Sequence, residues 1–379
     1  REYAPTLKSV ATAGQPRFEY DPSADGQSAG TSLGILIEGQ STNLLTHSSE
    51  FSNGAAYNTF RATVVADVAV APDGTLTADA LTVDATAAAN HGLDFSYNPG
   101  GATAQTISVY AKAGTKSWLA FRFTPAGGTF NSSYAYYNLS TATTGFVSSG
   151  VTASAVDCGN GWVRCVATAT ANASGNNGQV NFYIGNGDQD LTFDGNSYDY
   201  VLLWGGQAEA NASHASSLIS TSGAAATRAA ESLSVTDSSL FDNGGGTLYA
   251  EASHNVLDEY NGVFAVSDGT GANTIEILND TSRFRGQVVN ANSTNAIFMD
   301  GTITAGQFNK HALTFSSSEA SYYVNGSQIG TTDSSVVVPA VSEIDIGDVA
   351  WGRPLNGHIR KVALYSEPIS ETAAAALTS

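Results

Sequence analysis

Short segments that alternate apolar and polar residues, set between turn residues, dominate the chain. Between 46 and 212 they are TISVYAKAG, SWLAFRFTP, YAYYNLS, WVRCVATATA, QVNFYIGNG and YDYVLLWGG. An apolar side chain at every second position buries one face of a strand, so this region predicts an antiparallel β-sandwich. The rhythm resumes after 233 in GTLYAEAS, YNGVFAVSDG, NTIEIL, FRGQVV, KHALTFS, ASYYVNGSQIG, SEIDIGDV and GHIRKVALYS, which predicts a second sandwich over 233–379. Between them HASSLISTSGAAATRAAESL, 213–232, is small-residue rich and aperiodic and reads as an extended linker. Residues 1–45 read as an irregular strap, with short apolar runs in PRFEYDP and GILIEGQSTNLL. Only SETAAAALTS changes period: Ser370 is placed as an N-cap, Glu371 in the first turn, and an alanine run follows. The expected fold is therefore all-β, two antiparallel β-sandwich (jelly-roll) domains with an N-terminal strap and a short C-terminal helix.

Length agrees with that division, since 379 residues suffice for two domains that each bury a core. The net charge of −19 repels polyanions, so nucleic acid is not an expected partner, and an uncharged or cation-bridged ligand fits better. No apolar run approaches the ~18 residues that span a bilayer, so membrane insertion is not expected. The sequence begins at Arg1 with neither a charged n-region nor an apolar h-region, and the expectation is a soluble chain with what precedes Arg1 left open. Two cysteines without CxxC or Cys/His spacing offer no zinc or thioredoxin-like chemistry, and the six histidines are scattered singly.

Both cysteines fall in DCGNGWVRC, 157–165, where Asn160-Gly161 suits the centre of a tight hairpin turn. A two-residue turn there sets Cys158 opposite Val163 and Cys165 opposite Val156, with the thiols diagonal; a wider loop brings them opposite. Two outcomes stay open, a disulfide or a pair of buried thiols acting as small hydrophobes.

GNGWVR, with LGILIEGQSTNLL before it and YVLLWGGQAEANASHASSLISTSGAAATRAA after it, resembles modules of bacteriophage tail and fibre proteins. The matching positions are Gly34, Glu38, Thr42, Asn43 and Leu44, then Trp204, Gly205, Gln207 and Glu209, then Thr227 and Arg228. The chain departs from that pattern at Val163, Gly206, Ala208, Leu218 and Ser220. The second half, through GTLYAEAS, SYYVNGSQIG and PLNGHIRKVALYSEPIS, is similar to laminin-G and concanavalin A-like sandwiches. These resemblances imply a virion protein outside the cell, a tail fibre or baseplate component. Its partners would be bacterial surface polysaccharide and other virion proteins, and analogy with phage fibres implies a homo-oligomer, a trimer. Carbohydrate binding and a purely structural role in subunit contacts are both compatible with such modules.

Aromatic rings suit sugars, because a flat ring covers the apolar face of a pyranose while neighbouring polar groups bond its hydroxyls. In SWLAFRF, Trp118 and Arg122 share the face opposite Leu119, Phe121 and Phe123. Tyr134 and Tyr136 alternate in the same way, and Trp351 with Arg353 lies beside a turn; these six are the candidate carbohydrate-binding residues. Trp162 and Trp204 are read instead as core or edge packing.

No cofactor is demanded by the sequence, and calcium is the one ion its turns invite. NGDQDLTFDGNSYDY gathers hard oxygen donors, with Asp188, Asp190, Asp194 and Asn196 the candidate ligands, though without the order of an EF-hand loop. The DGTGAN turn, 268–273, is a weaker candidate of the same kind. SEIDIGDV resembles the EIDxxE signature of laminarinase-type β-glucanases, which makes Glu343 and Asp345 the carboxylates of an enzyme reading. Gly347 or Asp348 stands where that pattern needs a second glutamate, and a retaining glycosidase needs its carboxyls ~5–5.5 Å apart, so the expectation is a non-catalytic chain. GTSLG, 30–34, matches the nucleophile-elbow pattern but leads into a strand instead of a helix.

Overall fold

The computed structural model describes residues 17–20, 32–125, 128–172, 177–236, 244–257, 260–349 and 352–379. The fold is all-β, in antiparallel sheets, with one short helix among the described residues, Glu371–Thr378, at the C-terminal end. Ser370 caps that helix by accepting the Ala373 N–H. No described helix is long and apolar enough to cross a membrane.

The chain divides into two compact units. The first, Ser41–Arg228, packs two six-stranded sheets face to face. One has the order Thr143–Val147, Ser133–Asn138, Trp118–Phe123, Gly178–Gly185, His91–Tyr97, Asn58–Phe60. The other runs Val151–Asp157, Trp162–Thr170, Ala104–Ala113, Tyr200–Ala210, Leu76–Val83, Ala62–Val70. Alternation sends Leu119, Phe121, Phe123, Tyr137 and Phe182 inward, all wholly buried. The Phe121 ring stacks on Phe182 at 4.5 Å and lies 4.8 Å from Tyr137, so three neighbouring strands share one aromatic contact.

The second unit holds another pair of sheets. Leu233–Thr236, Glu343–Ile346, Gly262–Ser267, Thr274–Asp280, Arg283–Asn290 and Ser293–Asp300 form one. Gly245–His254, Phe308–Ser316, Ala320–Val324, Ser327–Asp333 and Gly357–Tyr365 belong to the other, together with Arg17–Tyr20 and Ser32–Ile37. The described part of the N-terminal strap thus supplies strands to this sheet, pairing Ile35 with Ile359 and Ile37 with Gly357. Gly34 permits it: at φ 93° its backbone passes so close to Ile359 that a Cβ would lie 2.1 Å from that carbonyl oxygen. Ser32–Ile37 is therefore a strand, as its sequence predicts. Buried Arg17 is held by Glu38 at 2.6 Å and by Glu231.

The stretch expected to be an extended linker folds differently. Ser216, Leu218, Ile219 and Thr221 are buried, and Ala226–Arg228 pairs with Ser41–Asn43. Side-chain hydrogen bonds explain why an aperiodic segment docks. Gln207 accepts the Ile219 N–H at 2.7 Å and donates to the Ser216 carbonyl at 3.2 Å, while Glu209 accepts the Ser216 N–H at 3.1 Å. Asn43, fully buried, donates to the carbonyls of Gly206 (3.0 Å) and Ile219 (2.8 Å) and accepts from the N–H groups of Leu45 (3.0 Å) and Ala208 (3.1 Å). Its amide meets its full hydrogen-bonding capacity.

The cysteine hairpin turns at Asn160-Gly161, both with positive φ, but its register is one residue off the simple expectation. Cys158 N–H donates to the Trp162 carbonyl and Asp157 pairs with Val163, so Cys158 and Gly159 together oppose Trp162 as a bulge. Cys165 therefore faces Ala155 instead of Val156. Both thiols are free: Cys165 lies in the sandwich core, whereas Cys158 packs in the separate cluster of Trp162 and Trp204. Those two indoles are indeed packing residues, donating to the Val70 carbonyl at 3.2 Å and to Thr77 Oγ1 at 3.1 Å.

Replacing Asn43 by Ala strands four buried backbone groups at once. At about 1–3 kcal/mol per unsatisfied group, tempered by water entering the gap, we expect a loss on the order of 3–4 kcal/mol. Denaturant unfolding followed by tryptophan fluorescence measures it, and a loss below about 1 kcal/mol would show that the amide is not the clasp its geometry describes.

Candidate functional site

The outer face of the sheet containing Trp118–Phe123 carries side chains that the core does not use. Register alone lines them up in two rows. Tyr136, Ala120, Tyr183, Gly92 and Phe60 form one row across five strands; Tyr134, Arg122, Asn181, Asp94 and Asn58 form the next. Trp118 stands beyond the first row, opposite Asn138 and Gly185. The structure thus brings Trp118, Arg122, Tyr134 and Tyr136 together on one surface.

Tyr134 and Tyr136 are stacked with ring centres 6.0 Å apart, and Phe146 meets Tyr136 edge-on at 6.3 Å. The Arg122 guanidinium lies 5.5 Å over the Tyr134 ring. On the far side of Arg122, Tyr183 meets Phe60 at 5.3 Å. Small residues make these approaches possible: a Cβ on Gly92 would sit 2.9 Å from the Phe60 ring, and one on Gly145 would sit 2.8 Å from Trp118 and 2.4 Å from Asp188. Tyr136 and Tyr183 are buried as a floor, whereas Trp118, Tyr134 and Phe60 are half-buried and Phe146 is exposed. Tyr183, Phe60 and Asn181 were not singled out from sequence. QVNFYIGNG does alternate, and that was the available signal for Tyr183 and Asn181.

The four oxygen-donor residues do not converge. Asp188 Oδ1 accepts the Phe146 N–H at 2.8 Å, and Asp190 accepts from Asn186 Nδ2 at 3.0 Å. Asp194 accepts the Ala88 N–H at 2.7 Å, and Asn196 donates to Asp199 at 2.8 Å. Asp190 and Asn196 each close their own turn, whereas Asp188 and Asp194 tie theirs to distant segments. The DGTGAN turn is closed likewise, Asp268 accepting from Thr270 and Asn273. Among the described residues no group of three or more His, Cys, Asp or Glu side chains is placed to hold a metal ion.

The second unit gathers charge on the outer face of the sheet containing Glu343–Ile346. Trp351 lies outside the described residues. Arg353 stacks over Tyr260 at 4.6 Å, and Arg285 stacks over the same ring at 5.1 Å. Glu343 pairs across the sheet with Ser267, and Asp345, whose carboxyl burial pushes up, accepts from Ser267 Oγ at 2.9 Å. One cross-strand row holds Asp345, Ala265, Glu276 and Gln287. Glu276 is fully buried and accepts from Gln287; burial pushes its carboxyl up to about 7, against the pull of Gln287, Arg285 and Arg353. Sequence reasoning missed it because a glutamate inside NTIEIL looks like any outward strand residue.

Comparison with known proteins bears chiefly on the second unit. Residues 227–375 match the Laminin_G_3 model, described as the concanavalin A-like lectin/glucanases superfamily. This agrees with the similarity its motifs carry. Solved structures that the chain is similar to include the CBM40 of a Ruminococcus gnavus IT-sialidase bound to α2,3-sialyllactose, at 15% identity and TM-score 0.33, covering 36% of this chain and 83% of that one. A heptameric SAP-like pentraxin from Limulus polyphemus is similar at 14% identity and TM-score 0.31, covering 39% and 73%. So is domain 4 of AbnA, a GH43 extracellular arabinanase from Geobacillus stearothermophilus, in complex with arabinotriose, at 14% identity and TM-score 0.32, covering 40% and 73%. No curated protein matches the chain.

Glu276 generates a pH test. A carboxyl raised from 4.5 to about 7 holds its proton more tightly in the fold, so its contribution to stability is full below about 4.5 and is lost as pH rises through 7. Glu276→Gln removes that loss. The variant should gain roughly 3 kcal/mol relative to the parent between pH 4.5 and 8, read from denaturant unfolding at several pH values. A difference that stays constant with pH would contradict the assignment.

Proposed function

We propose that the chain is a non-catalytic carbohydrate-binding protein of a bacteriophage virion, a tail fibre or baseplate component that adsorbs to polysaccharide on the host surface. The aromatic face carries this reading. Half-buried Trp118 and Tyr134 and exposed Phe146 offer flat apolar contact, and Arg122 and Asn138 stand beside them as directional polar groups. The phage placement is supported by the GNGWVR, TNLL and TRAA resemblances. The lectin-type description of the model matched at 227–375 supports sugar recognition more broadly.

A single shallow face of this kind binds weakly. A trimeric, multicopy virion would compensate, since linking sites raises avidity by ~10²–10⁴ without new contacts.

The test is binding of the purified chain and its Trp118→Ala variant to an array of bacterial surface polysaccharides, with and without calcium, while reducing ends are monitored. Binding without sugar release, weakened at least tenfold by Trp118→Ala, is the expected result. Release of reducing ends that Glu343→Gln abolishes would replace the adsorption role with a hydrolase. Neither binding nor release, with assembly onto other tail components instead, would leave a structural virion protein.

A further inference from the structure

The candidate face has one cation, Arg122, that lies over the Tyr134 ring but has only weak hydrogen-bond partners. Arg122 donates from Nε and Nη2 to Ser132 Oγ, both at 3.3 Å, and from Nη1 to the Tyr183 hydroxyl at 3.4 Å. All three distances exceed the usual 2.7–3.2 Å of an N–H···O bond, and both partners are neutral. Among the described residues no carboxylate lies within ion-pair distance of it. This occurs in a chain with 34 acidic against 15 basic residues, where Arg17, Arg283, Arg285 and Arg360 each meet a carboxylate. Arg61 reaches a carbonyl at 2.7 Å.

Asn181, the cross-strand partner of Arg122, supplies an independent sign. It is 8% exposed, points to the same face, and its Oδ1 has no hydrogen-bond partner. A buried amide left unpaired is costly, and groups of this kind are otherwise satisfied. Because the oxygen and nitrogen of an amide exchange by a simple flip, the same group can turn its NH₂ toward an anion at Arg122. The carboxylates of this face are engaged elsewhere. Asp94, on the other side of Asn181, is held by Asn58 Nδ2 at 3.1 Å and Gln179 Nε2 at 3.0 Å, and Asp188 serves the Phe146 N–H.

We propose that this face takes a glycan bearing a carboxylate, which the planar fork of Arg122 receives with Asn181 beside it, while Tyr134 and Trp118 cover the sugar rings. The inference rests on the carbohydrate reading above and narrows it to acidic sugars. It also qualifies what the overall charge suggests. Distant carboxylates are screened over about 8 Å at physiological ionic strength, whereas a bidentate contact at Arg122 is not.

The experiment uses the full chain and the same polysaccharide array, each polysaccharide presented natively and after chemical reduction of its carboxyls to hydroxymethyl groups. Four proteins are compared: the parent, Arg122→Met, Arg122→Lys and Asn181→Asp. We expect the polysaccharides bound by the parent to contain carboxylates, and carboxyl reduction to weaken binding more than tenfold. Arg122→Met should do the same and Arg122→Lys less. Asn181→Asp, nearly the same size, places an internal carboxylate beside Arg122; it should abolish binding while thermal stability is kept or raised, which separates lost recognition from lost folding. Binding of the parent that survives both carboxyl reduction and Arg122→Met within twofold would overturn the inference while leaving the carbohydrate reading intact. So would binding confined to sulfated or phosphorylated glycans. Binding of neither form would overturn the carbohydrate reading itself.

Discussion

The stack of Phe121 on Phe182 decides what the outer surface of the first sandwich can be. In an antiparallel sheet a slip of one residue turns every side chain to the opposite face. Phe121 lies between Ala135 and Phe182 in the ladder and also touches Tyr137, so an apolar contact inside the core fixes the register of three strands. Once those rings are inside, Trp118, Arg122, Tyr134, Tyr136, Asn181 and Tyr183 have nowhere to point but outward, side by side. The candidate face is thus a consequence of core packing.

A second constraint closes the same unit from its ends. Among the positions quoted for the module resemblance, Asn43, Gln207 and Glu209 fasten residues around 43 and 216–219 to the strand Tyr200–Ala210, while Thr42 and Thr227 bond each other and join the two segments. Their chemistry is structural: Asn43, Gln207 and Glu209 satisfy backbone groups around Gly206, Ser216 and Ile219 that no strand ladder reaches. A motif can therefore mark a module while standing apart from its candidate binding face. The second unit shows the converse, since Glu276 sits in an unremarkable strand sequence yet burial pushes its carboxyl up to about 7.

Strand periodicity made the architecture legible, and the alternation in SWLAFRF and SSYAYYNLS was enough to find four residues of the face. Its remaining members depend on strand pairing that spans long stretches of chain: Arg122 and Tyr183 are 61 positions apart, and no local pattern says that their strands are neighbours. The docked segment 213–228 was illegible for a related reason, because its hydrogen bonds with the side chains of Gln207 and Glu209 hold it where periodicity is silent. In the cysteine hairpin the turn residues were readable, but the bulge at Cys158 and Gly159 was not, since nothing nearby in sequence distinguishes a bulged ladder from a plain one.

The proposed adsorption role depends on sugar lying against this outer sheet face. A crystal structure of the chain with an oligosaccharide from a polysaccharide that it binds tests it most directly. The expected result is a sugar ring packed on Trp118 or Tyr134 within reach of Arg122. A ligand seated on the second unit instead, with the aromatic face bare, would contradict it.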